Sequence, residues 1–223
     1  MKQITKLLAG AAVATMVSFG AHAQEVTRTV THCLVRKSPG QAKMIGAWAK
    51  NVEEGSRGRI KFESCASMSL GGNPPELYCQ VRDGVADIVW PLPGYTPGVF
   101  PRLEVFELPG VHLGDARATN LAMWDLRDEY AEDLTDIHPL AVHVHAGQAI
   151  HLTEKEVRTV DDVKGLKLRT PTRTGSWVIE AWGAEPVGMP VPALPQAMSL
   201  GVVDGGLVPF EVVPPLKLAE MIS

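Results

Sequence analysis

The sequence predicts an α/β fold built on mostly parallel sheet. Three observations carry that expectation. Short apolar runs such as Val85–Trp90 have the length and composition of buried parallel strands. Segments of helical periodicity alternate with them along the chain. Pro and Gly punctuate the boundaries: Pro39 opens a helix, Pro171 stops a strand, and Gly55 and Gly84 end helices.

Taken in order, Met1–Ala23 stands apart. Lys2 and Lys6 precede an apolar run from Leu7 to Gly20, and Ala21-His22-Ala23 is a small-x-small cleavage pattern. These features predict a secretory signal peptide over 1–23, cleaved after Ala23, and hence an exported, periplasmic chain. The 223 residues carry a formal net charge of −4, and loss of the two leader lysines makes it more negative. That balance argues against nucleic acid and against anionic membrane as partners. An anionic ligand would need a local cation, because net charge does not attract it.

Thr27–Val35 reads as the first strand. Ser38-Pro39 then opens a helix with Ile45, Trp48 and Val52 at helical spacing. Arg59–Cys65 alternates apolar and polar residues, as a second strand does. Asn73-Pro74-Pro75-Glu76 has the form of a capping box, and the helix that follows ends at Gly84. Val85–Trp90 is the third strand, and Pro91–Pro109, rich in Pro and Gly, loops over the sheet. A long helix is expected over Gly114–Leu134, with Leu121, Trp124 or Leu126, and Tyr130 inward. Leu140–His145 alternates as a strand, and Val157–Lys164 is a short helical turn. Val163–Gly205 reads as strand, helix, short strand, helix, strand. Its first strand, Gly165–Thr170, carries Arg169 at the carboxyl end, where open α/β sheets bind ligands. A guanidinium is planar, forked and always charged, so it suits a carboxylate. Arg169 is therefore the candidate anion-binding residue, with Arg173 nearby as a possible assistant.

Three cysteines, Cys33, Cys65 and Cys79, occur in a chain expected to be exported. A bridge between Cys65 and Cys79 closes a short loop, but spacing alone does not fix connectivity, and Cys33 reads as a small buried hydrophobe. His138, His143, His145 and His151 cluster within one stretch. On a strand, His143 and His145 would share a face, which supports a rival reading as a secreted zinc-dependent enzyme. The rest of a zinc ligand set is missing at ligand spacing, and neither HExxH, a nucleophile elbow, a Walker loop nor a dinucleotide fingerprint occurs.

HCLVRKSPG, GRIKFE, SLGG, VRDGVADIVW, GYTPGVFP, ELPG, KGLKLRTP, WGAEPVGMP and ALPQAMSLGVVDGG, in this order, resemble the signature of TRAP-transporter solute-binding proteins of the dicarboxylate (DctP-type) family. The resemblance spans nearly the whole chain after the leader. It implies a two-lobed periplasmic binding protein fold, each lobe a mostly parallel sheet flanked by helices, joined by hinge strands. Lobe I would comprise 24–146 and 205–223, and lobe II 147–204, both incomplete relative to the family, as in a C-terminally truncated chain. It further implies a non-enzymatic role without cofactor or metal: capture of a small organic acid and delivery to the TRAP membrane permease subunits. Ligand contacts are expected from Arg169, Trp90, His32, Val208, Phe210 and Arg173, with Trp177 as a further apolar wall. Two departures from the family pattern make the pocket less polar. Gly147-Gln148-Ala149 stands where a Gly-x-Arg is common, and Val208 stands in place of a polar Asn. Both favour a monocarboxylate with an apolar or aromatic body.

Overall fold

The computed structural model describes residues 25–222, so the leader assigned to Met1–Ala23 lies outside the described residues. Two sheets organise the chain. The first joins β1 (Val26–His32), β2 (Ile60–Cys65) and β3 (Ile88–Trp90) in the order β2-β1-β3, all parallel. The second joins β4 (Ala149–Leu152), β5 (Lys167–Thr170), β6 (Glu185–Gly188) and β7 (Gly205–Val208) in the order β4-β7-β5-β6. There β5 is parallel to both neighbours, and β4 runs antiparallel to β7. Helices connect the parallel strands, as that geometry demands. α1 (Gly46–Gly55, entered through a π-helical turn over Gly40–Ile45) and α2 (Leu77–Arg82) serve the first sheet, α3 (Ala116–Asp125) lies on the passage from β3 to β4, and α4 (Arg173–Ala181) and α5 (Leu194–Ser199) serve the second.

Local chemistry accounts for several boundaries. The Glu76 carboxylate accepts from the Asn73 N–H at 3.2 Å, one half of the anticipated capping box. Asp115 caps α3 by accepting from the N–H groups of Arg117 and Ala118. Thr172 caps α4 through the Gly175 N–H. Separate apolar clusters fill the two units. Tyr78, Phe100, Leu103, Met123, Tyr130 and Leu134 pack beside the first sheet. Leu152, Val163, Leu168, Ile179 and Leu207 pack in the second.

Four expectations are corrected. The helix expected over Gly114–Leu134 ends at Asp125, and Leu121, Trp124 and Leu126 are exposed rather than inward. The chain turns back there because the buried Tyr130 donates its hydroxyl to the Met123 carbonyl, satisfying one of the helix's last acceptors. Leu140–His145 is not a strand. The Asn120 amide brackets Val144, accepting from its N–H at 2.6 Å and donating to its carbonyl at 3.4 Å, and so takes the place of a neighbouring strand. The second unit does not stop at Asp204, because β7 lies inside its sheet. Val212, Val213 and Leu218 then pack in one cluster with Leu194 and Met198 of α5, against which Leu34, just past β1, also lies. Finally, the Cys65–Cys79 bridge is not formed: Cys65 is buried at the end of β2, Cys79 is exposed on α2, and all three cysteines are free.

Candidate functional site

Arg169 is next to last in β5, at the carboxyl end of the second sheet. Its neighbours across the sheet are Val187 and Gly206. Gly206 matters because a Cβ there would come within 2.8 Å of the Arg169 Cβ, so only glycine lets β7 approach this closely. The side chain is 2% exposed, and among the described residues no acid pairs with it. It donates instead to neutral oxygens. Nε binds the Met189 carbonyl at 2.9 Å, Nη1 the Leu207 carbonyl at 2.9 Å and Nη2 the Tyr95 hydroxyl at 3.4 Å. A guanidinium has five N–H groups, so two remain without a protein acceptor. Burial works against its charge, and the neighbouring Tyr95 and Cys33 partly offset that.

Tyr95 reaches Arg169 from the other unit, out of a short turn (Pro93–Tyr95) just after β3. Its oxygen also accepts from the Val191 N–H at 2.9 Å. The carboxyl ends of both sheets are thereby joined through one phenol. Cys33, which follows β1, lies near the same cation, and burial pushes its thiol up to about 11, so it is neutral.

A frame of aromatic rings stands at the carboxyl end of the first sheet, around Trp90. His32 ends β1 opposite Trp90, is fully buried, and meets the indole edge-on at 5.9 Å between centroids. Its Nε2 lies 2.5 Å from the Gln41 side-chain oxygen, and burial lowers its pKa, so the imidazole is neutral. The Trp90 indole N–H donates to His143 Nε2 at 3.0 Å, and the two rings stack. Below the indole, Gly40 has no side chain to obstruct it: a Cβ there would lie 2.2 Å from the ring.

The remaining expected contacts are placed elsewhere. Val208 is fully buried, but in the core cluster with Leu194, Met198 and Leu218. Phe210 is 71% exposed and meets His151 edge-on. Arg173 is bound to Glu104 of the first unit and lies over the half-exposed Trp177 ring. The zinc reading loses its basis. His143 and His145 are not on a strand, and the His143 Nε2 lone pair is taken by Trp90. Among the described residues no group of three His, Cys, Asp or Glu is placed to hold a metal ion. Sequence reasoning missed Tyr95, Gly40 and the His143 contact. GYTPGVFP did mark the Tyr95 loop, and a lone Tyr in a Pro/Gly segment was the available signal.

The sequence matches the family described as DctP, bacterial extracellular solute-binding protein, family 7, over residues 32–223. The chain belongs to this family. Solved structures of TRAP solute-binding proteins share its architecture. One from a marine metagenome, specific for aromatic acid ligands and bound to 3-hydroxybenzoate, is 45% identical with a TM-score of 0.86, over 90% of this chain and 62% of that one. Another, from Rhodoferax ferrireducens T118 with copurified benzoate, is 42% identical with a TM-score of 0.85, over 88% of this chain and 61% of that one. A solute-binding protein of Albidiferax ferrireducens is 22% identical over 92% of this chain and 62% of its own length. The chain thus spans about three fifths of the length of these relatives. The two-lobed fold of the family accounts for the two sheets, each flanked by helices.

Proposed function

We propose that this chain is the extracytoplasmic, periplasmic receptor of a TRAP-type transporter. It captures a small aromatic monocarboxylate and passes it to the membrane permease subunits. One observation carries the reading: a buried guanidinium that, among the described residues, has two N–H groups to spare and no acid beside it. A buried charge is costly unless it is compensated, and a carboxylate matches the planar fork of Arg in both charge and shape.

The preference for a single carboxylate rests on the surroundings. Cys33 and His32 are neutral, and Arg173 is already committed to Glu104. The one cation near His32 is Arg36, and it already donates to the Ser64 carbonyl, so a second carboxylate would find no free counter-charge among these residues. The aromatic preference rests on Trp90, held between His32 and His143 with its ring over Gly40. Relatives that bind benzoate and 3-hydroxybenzoate support the same class, as does one from Bordetella bronchiseptica, 26% identical, with bound mandelate. Family membership supports a receptor without catalytic activity, and the resemblance alone supports the permease as partner.

Calorimetric titration of the chain with benzoate, 3-hydroxybenzoate and succinate tests the proposal. Benzoate or its hydroxylated analogue should bind, and Arg169→Met should weaken that binding at least about 30-fold, since hydrogen bonds to charged groups contribute about 1.5–3 kcal/mol each. Succinate binding more tightly than either aromatic acid would overturn the monocarboxylate reading.

A further inference from the structure

Hydrogen-bond accounting around Tyr95 reaches one step beyond Arg169. The phenolic oxygen has two lone pairs, and the structure uses both. One accepts from Arg169 Nη2 at 3.4 Å, the other from the Val191 backbone N–H at 2.9 Å. The hydroxyl proton is left over, and among the described residues no acceptor receives it. Burial pushes the phenol above its ordinary pKa, so it keeps that proton at neutral pH. With both lone pairs engaged, the hydroxyl cannot turn round to accept from a ligand. Toward a ligand it can only donate.

We infer that Tyr95 is a ligand-contacting specificity residue: its hydroxyl is the third donor of the carboxylate clamp, beside the two spare N–H groups of Arg169. The inference rests on the carboxylate reading of Arg169 and adds to it a rule of selection. Three donors and no acceptor accept an ionised carboxylate, whose oxygens only receive hydrogen bonds. They reject the uncharged amide of the same acid, whose NH2 would face a donor that has no lone pair to offer. The same phenol touches the second unit at Arg169 and Val191 while belonging to the first, so donation to ligand happens where the two units meet.

The test compares benzoate and benzamide binding to the chain and to Tyr95→Phe by calorimetry, with Arg169→Met as the reference. The wild-type chain should bind benzoate and discriminate strongly against benzamide. Tyr95→Phe should weaken benzoate about tenfold to a hundredfold, the usual loss for one hydrogen bond to a charged group. Benzamide should weaken far less, so the selectivity ratio should collapse. A Phe that merely loosened the fold would weaken both ligands together, and that parallel loss would overturn the inference. So would undiminished benzoate binding by Tyr95→Phe alongside its loss in Arg169→Met, which leaves the Arg169 reading standing. Failure of the wild-type chain to bind benzoate, 3-hydroxybenzoate or any other aromatic carboxylate would overturn both.

Discussion

His32 shows how one side chain can be read from its surroundings. It is wholly buried, and its Nε2 is engaged by Gln41. Desolvation is the main cause of its lowered pKa, and the nearby Arg36 adds to it. The folded state therefore binds a proton less readily than the unfolded chain. Its contribution to stability is present above the ordinary histidine value of about 6.5, and is lost as pH falls from there through the lowered folded-state value. Melting curves between pH 8 and 5 should show the wild-type chain losing stability through this window. His32→Gln should lose less, and identical slopes would contradict this account. Not every residue was so readable from sequence. The place of Arg169 was legible, because the run before Pro171 put it at the carboxyl end of a strand, where β5 has it. Val208 and Phe210 were not: position relative to the family motif gave their place in the chain, but not which way each side chain faces. Val208 turns into the core and Phe210 to solvent.

At the scale of elements, the pattern of strands and helices survived translation into structure, and the failures had a common cause. Strands β1, β2, β3 and β5 sit where apolar runs and alternation put them. Leu140–His145 alternates equally well, yet Asn120 takes up both backbone groups of Val144. The long helix is cut short by the hydroxyl of Tyr130. In both places a distant polar side chain satisfies the backbone, and local periodicity carries no trace of that. The turn at Gly40 is a further case. It reads as a routine helix entry, but its missing side chain is what lets the Trp90 ring lie across it. Gly40→Ala places a methyl against that ring and should destabilise the fold by about 1–3 kcal/mol, as overpacking does. It should also disturb the indole, so urea unfolding and tryptophan fluorescence together check it. A variant with wild-type stability and an unchanged spectrum would show that Trp90 has room to move.

For the molecule as a whole, the loop that runs from Pro91 to Pro109 ties the two units together. Tyr95 binds Arg169 and Val191, Glu104 binds Arg173, and Glu107 accepts from Thr174 at 2.9 Å. Gly94 lies so close to Thr172 that a Cβ would come within 2.3 Å of its methyl. Glu104 is buried and also accepts from the Gly98 N–H, so losing its cation leaves a carboxylate poorly compensated. Arg173→Met should therefore cost about 1–3 kcal/mol in chemical denaturation, while Arg173→Met combined with Glu104→Gln should recover part of that loss. Additive losses in the double variant would mean that the pair does not couple.

The way Arg169 is held has a consequence for anyone wishing to move the proposed carboxylate site into another scaffold. Its fork is aimed by Met189, Leu207 and Tyr95, drawn from three remote parts of the chain, and the approach of one of them depends on the glycine at 206. Transplanting the KGLKLRTP octapeptide alone would carry the positive charge without the aim. Such a graft would attract anions indiscriminately, with none of the selectivity that recognition of one metabolite demands.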